Sequence, residues 1–126
     1  MGQGLMYLWS SFTRWFYTKA GVGALAQARR LRERGEYARA AVEFERAERA
    51  LSRGGLPQSH SWIKQAIANR AWCKVKVGEF DTAIRLYQQV LDVEAIAGET
   101  DYAQTLREQL RWAEGEAVHG TGHPKA

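Results

Sequence analysis

The chain has 126 residues, 45% of them hydrophobic and 25% charged, with a formal net charge of +4. This is the composition of a soluble globular protein with room for one domain and one modest core. Its single cysteine, Cys73, excludes a disulfide framework within the chain, and nothing argues for an oxidising compartment.

Alanine, leucine, arginine, glutamate and glutamine fill the middle of the chain. These residues lose little on entering a helix, so the composition leans all-α. In chain order, residues 5 to 17 are dense in aromatics. As a helix they place Leu5, Leu8, Trp9, Phe12, Trp15 and Phe16 along one wide face, with Ser10, Ser11, Thr13 and Arg14 mostly on the other. Gly21 and Gly23 are expected to end this helix. A second run covers residues 24 to 34 and closes at Gly35. The third covers residues 37 to 51, with Tyr37, Ala40, Ala41, Phe44, Ala47 and Leu51 at helical spacing.

The stretch from Ser52 to Pro57 breaks the chain. Ser59 or Ser61 is suited to cap a helix over residues 60 to 77, which Gly78 stops. Phe80, Ala83, Ile84, Tyr87, Val90 and Leu91 mark one face of a helix over residues 80 to 96, ended by Gly98. Thr100 or Asp101 is placed to cap a last helix over residues 102 to 113. No stretch in the middle alternates with period two. The expectation is an all-α chain of antiparallel helix hairpins. It divides into an aromatic, basic segment at 1–20, a helical domain at 21–114 and a loose tail at 115–126.

One internal repeat stands out. Gly35-Glu36-Tyr37-x-x-Ala40-Ala41-x-x-Phe44-x-x-Ala47 parallels Gly78-Glu79-Phe80-x-x-Ala83-Ile84-x-x-Tyr87-x-x-Val90. Glycine permits a tight turn between helices. The small residue lets two backbones approach, and the second aromatic fills the gap to the neighbouring hairpin. One hairpin cannot bury its apolar face alone, so neighbours must stack.

Over about residues 24 to 97 the chain resembles the tetratricopeptide repeat family. Asn69-Arg70-Ala71 ahead of Gly78-Glu79-Phe80-Asp81-x-Ala83-Ile84 carries the resemblance most clearly. The turn glycines lie 43 residues apart, from 35 to 78, against about 34 in the standard repeat, so this is an extended version. The resemblance implies a short α-solenoid that acts as a scaffold, adaptor or assembly subunit and binds a protein segment on its concave face. It places Leu25, Arg29, Arg32, Gln65, Asn69, Trp72 and Lys76 there. Asn69 falls where clamp members hold a terminal carboxylate, but Leu25 and Arg29 stand where the rest of that clamp belongs. An acidic peptide therefore fits the groove better. Trp72 reads as a core residue first and as a groove anchor second.

Residues 1 to 32 hold no acid and five bases: Arg14, Lys19, Arg29, Arg30 and Arg32. Three readings fit the aromatic start. It is a cap on the first hairpin, an anchor at a membrane surface or membrane complex through Tyr7, Trp9, Phe12, Arg14, Trp15 and Phe16, or a targeting peptide. A spanning helix needs about 20 apolar residues, and Ser10, Ser11, Thr13 and Arg14 interrupt the run. Self-association is a further way to cover the apolar ends of so few repeats. The expected location is the cytoplasm, with membrane association or an organellar address left open by the N-terminus.

No catalytic residue, metal ligand set or cofactor motif is expected. His119 and His123 are four apart, but glycines break the segment between them. Cys73 reads as a small buried side chain. The patch from Arg29 to Arg34 would suit nucleic acid, but Glu33 and Glu36 interleave it and no reading module matches.

Overall fold

The computed structural model describes the backbone of residues 2–97 and 100–120 and the side chains of residues 8–95 and 100–119. Five α-helices follow one another: α1 (Gly2–Glu33), α2 (Tyr37–Arg53), α3 (Ser61–Lys76), α4 (Phe80–Ala97) and α5 (Asp101–Gly120). No strand occurs among the described residues, so the chain is all-α as its composition implies. Each helix packs chiefly on its neighbours in sequence.

Three turns are built alike. Gly35, Gly55 and Gly78 have φ of 78°, 92° and 81°. In the first, the Gly35 N–H donates to the Arg32 carbonyl and the Glu36 N–H to that of Leu31, both at 2.9 Å. In the third, the Gly78 N–H donates to Val75 at 2.9 Å and the Glu79 N–H to Lys74 at 2.8 Å. This double bond satisfies carbonyls that a helix end leaves bare, and it needs a residue in the left-handed region, which glycine enters without steric cost.

The repeated positions also share an environment. Ala40 and Ala83, Phe44 and Tyr87, and Ala47 and Val90 are all fully buried. The core runs as two seams. Leu25, Ala28 and Leu31 of α1 meet Ala40, Phe44 and Ala47 of α2, closed by Ala66 and Cys73 of α3. Leu51, Ile63, Ile67, Tyr87, Val90 and Leu106 lead the second, which joins the end of α2 to α3, α4 and α5. Between α2 and α3, Arg70 reaches Glu45 at 3.5 Å and Glu48 at 4.0 Å. Burial pushes the Glu48 carboxyl up, with Arg70 pulling it back.

Three sequence expectations are corrected. Gly21 and Gly23 do not end a helix; α1 runs through both. The reason is contact: a Cβ on Gly21 would lie 2.6 Å from Leu51 Cγ, so this glycine is where α2 presses against α1. That packing offsets the ~1 kcal/mol a mid-helix glycine costs. The boundary after residue 20 therefore falls inside α1. The tail is helical from 115 to 120, because α5 continues through Gly115 and lays Ala117 beside Gly78, Phe80 and Thr82. Residues 121–126, including His123, lie outside the described residues. Finally, His60, not a serine, caps α3: its Nδ1 accepts from the Trp62 N–H at 3.1 Å. Thr100 caps α5, accepting from the Ala103 N–H at 3.0 Å.

Candidate functional site

Gln65, Asn69, Trp72 and Lys76 recur at spacings of four, three and four, so they share one face of α3. Arg29 and Arg32 reach this face from α1. From the other side α5 presents Tyr102, Thr105, Gln109 and Trp112. The three helices enclose a cleft of about 300 Å³, lined by Arg32, Gln65, Ala68, Asn69, Trp72, Tyr102, Thr105, Leu106 and Gln109. No carboxylate is on its walls.

The two arginines are oriented by neutral amides. Arg29 donates to Gln65 Oε1, and Arg32 to Asn69 Oδ1. Asn69 Nδ2 donates in turn to the Gln65 backbone carbonyl at 2.8 Å. An amide oxygen fixes a guanidinium without cancelling its charge. Among the described residues neither Arg29, Arg32 nor Lys76 is paired with a carboxylate, unlike Lys64 with Glu94 or Lys74 with Glu79. These three cations thus have no carboxylate partner of their own; Glu94, which acts on the Tyr102 wall, is tied to Lys64.

At the far end of the cleft the rings of Trp72 and Trp112 stack at 5.3 Å between centroids. Lys76 Nζ stands 4.8 Å from the Trp72 ring, 5.9 Å from Trp112 and 6.0 Å from Tyr37. Trp72 is thus half-buried and forms an apolar wall at the surface, between the two roles its sequence position allowed. Burial pushes the Tyr102 hydroxyl up from its ordinary range.

Six of the seven expected groove residues cluster here. Leu25 does not: it is 3% exposed and packs in the seam between α1 and α2. Leu25, Arg29 and Arg32 were expected on one face, but Ala28 is small enough to draw α2 close, and the line of contact takes in Leu25 with it. The α5 contribution was missed. Its signal was present, since Tyr102, Thr105, Gln109 and Trp112 repeat the three-and-four spacing seen on α3.

The aromatic start does not pack as a cap. Trp9, Phe12, Trp15 and Phe16 are exposed along α1, and Arg14 is exposed beside Gly55. Tyr7 lies within α1, its side chain outside the described residues. Cys73 is fully buried, and burial raises its thiol pKa to about 11 against the pull of Arg32 and Lys74, which leaves it inert. No described helix is long and apolar enough to cross a membrane. No protein-family model, curated protein or solved structure matches this chain.

Proposed function

We propose that this protein is a non-catalytic scaffold, a short stack of tetratricopeptide-like hairpins that holds an acidic segment of a partner protein in the cleft between α1, α3 and α5. The observation that carries this reading is an open cleft lined by Arg32 and by no carboxylate among its described lining residues, with Arg29 bonded to its Gln65 and Lys76 over its Trp72. An anionic segment gains from all three cations, and the Trp72–Trp112 wall offers an apolar side chain a place to bury. The amide, hydroxyl and guanidinium groups around the cleft are suited to orienting an anion. The matched turns at Gly35 and Gly78 and the matched burial of Phe44 and Tyr87 support the repeat reading. Both ends of the Asn69 amide are already bonded to Arg32 and Gln65, which favours acidic side chains as ligands over a clamped terminal carboxylate.

The test uses the full chain labelled with nitrogen-15 and a short glutamate-rich peptide carrying one phenylalanine, with its lysine-rich counterpart as control. The indole N–H signals of Trp72 and Trp112 are expected to shift with the acidic peptide alone. Arg32→Glu with Lys76→Glu is expected to weaken binding by about tenfold or more, ~1.4 kcal/mol. Shifts that fall elsewhere, or an affinity unmoved by the double reversal, would remove the cleft from the function.

A further inference from the structure

Independently of the cleft, α1 carries a second surface that the fold leaves uncovered. Its backbone passes Gly54 at Arg14 and Thr18, where α2 ends. From there α1 continues toward its N-terminus for about 12 more residues, or ~18 Å. Along this overhang and just behind it, Trp9 is 72% exposed, Phe12 54% and Trp15 56%, with Leu8 and Phe16 beside them. Positions 8, 9, 12, 15 and 16 form one stripe on a helix. The rings touch in series: Trp9 to Phe12 at 6.2 Å, Phe12 to Trp15 at 6.0 Å and Phe12 to Phe16 at 6.5 Å. α1 meets α2 through Thr18, Gly21, Leu25 and Ala28, on the side opposite Trp9, Phe12 and Trp15, while Phe16 edges a cleft with α2.

The unpaired charge beside the stripe is basic, while Glu45 near Phe16 is paired with Arg49. Lys19 Nζ lies 4.9 Å from the Trp15 ring centroid, and the Arg53 guanidinium 5.8 Å from that of Tyr17. Neither they nor Arg14 pairs with a carboxylate among the described residues. Nearby Arg46 and Arg49, in contrast, are bonded to Glu43 and Glu45. No acid occurs in the first 32 residues of the sequence.

We propose that this part of α1 lies along the surface of a lipid bilayer carrying anionic phospholipid. Trp9, Phe12, Trp15 and Phe16 sink to the boundary between headgroups and acyl chains, and Lys19, which lies over the Trp15 ring, and Arg53 at the flank meet lipid phosphates. Tryptophan suits this depth because its ring is apolar while its N–H stays bonded in the wet headgroup layer. Lysine and arginine beside it bury their stems and keep their charge at the phosphates. The helix lies on the membrane and does not span it. Trp9, Phe12 and Trp15 stand on a convex helix face, while Phe16 edges a cleft shared with Tyr17, Ala20 and α2; most of the stripe thus matches a fluid surface better than a shaped partner. A second copy is the poorer occupant, because a twofold pairing through this stripe brings Lys19, which lies over the Trp15 ring in each chain, toward the same base of the other.

The experiment is co-sedimentation of the full chain with phosphatidylcholine vesicles, with and without phosphatidylserine. The chain is expected to pellet with the anionic vesicles and to come off as salt rises. Trp9→Ser with Trp15→Ser is expected to reduce partitioning by about tenfold or more, with helical circular dichroism unchanged, since both side chains are exposed. Lys19→Glu with Arg53→Glu is expected to erase the preference for phosphatidylserine. A readout on the unaltered chain guards against misfolded variants: lipids brominated on their acyl chains are expected to quench its tryptophan fluorescence, and Trp9→Phe with Trp15→Phe to bind but escape most of that quenching. No pelleting at low salt, equal pelleting of the serine variant, or undiminished quenching in the phenylalanine variant would overturn the proposal. So would a dimer, seen by sedimentation velocity, that the serine variant dissolves, which would assign the face to a second copy.

Discussion

The Trp72 ring lies 28° from parallel to that of Trp112, and this contact joins α3 to α5 at one end of the cleft. Aromatic pairs of this kind contribute about 0.5–1.5 kcal/mol beyond the area they bury. Trp112→Ala should therefore destabilise the chain by roughly 1–2 kcal/mol. Two close indoles also couple electronically, so the exciton band of the far-ultraviolet dichroism should vanish equally in Trp72→Phe and Trp112→Phe. A band that survives either substitution would mean the rings are not stacked in solution.

Gly21 and Gly23 sit two residues apart in α1 and should respond oppositely to alanine. At Gly21 the new Cβ would meet Leu51 Cγ at 2.6 Å, and Leu51 is fully buried with little room to yield. Gly21→Ala should cost about 1–3 kcal/mol through overpacking. At Gly23 nothing lies within 4 Å. Gly23→Ala should gain about 0.5–1 kcal/mol, because alanine loses less backbone freedom in a helix. Urea unfolding midpoints distinguish the two. Shifts of the same sign would refute the close approach of α1 and α2.

Tyr87 is fully buried, and its hydroxyl has no protein hydrogen-bond partner among the described residues. Burial pushes that hydroxyl far above its ordinary range, with smaller contributions from Cys73 and Tyr102. The equivalent position in the first repeat is Phe44, which carries no hydroxyl. Tyr87→Phe removes a desolvated polar group and should raise stability by roughly 1 kcal/mol. Thermal melts of the two proteins, side by side, give the answer. A lower melting temperature for the phenylalanine variant would show that the hydroxyl is bonded.

Glu94 is the buried acid among the described residues, tied to Lys64 on α3 and accepting from the Thr100 hydroxyl at 3.0 Å. The bond from Lys64 holds its carboxyl below the ordinary range, Thr100 adding to this and burial opposing it. Because the folded pKa is depressed, the unfolded chain takes up the proton first as pH falls. The stabilisation is complete above the unfolded value of about 4.3 and is lost below it, down through the folded pKa. Glu94→Gln should be roughly 1–3 kcal/mol less stable near neutral pH and should lose less on acidification than the parent. Melting temperatures measured across this acid range check both parts. Parallel pH curves for the two proteins would show that Glu94 titrates alike in both states.

Much of the fold was legible because helix formation is local. The aromatic and small residues around Gly35 and Gly78 announce a turn and the helix after it, and both glycines take the left-handed conformation their position calls for. The groove face of α3 was legible for the same reason, as Gln65, Asn69, Trp72 and Lys76 share a side wherever α3 sits. Gly21 was misread because a glycine that breaks a helix and one that admits a neighbour look identical until Leu51 is placed against it. Leu25 was misread because periodicity orders residues around an axis but does not say which angle faces inward.

The sequence by itself determined an all-helical chain, one repeated hairpin turn, and an acid-free aromatic stretch in its first quarter. Those are properties of neighbouring residues, set by backbone sterics, side-chain entropy and spacing along a helix. Only the tertiary structure decided that α1 is one helix, that α5 supplies a wall of the cleft, and that Trp112 meets Trp72 from the far end of the domain's sequence. Each of these depends on how far a helix is rotated and how closely it approaches the next. Small residues at the contacts, Gly21 and Ala28 among them, set that approach, and the sequence pattern carries no measure of it.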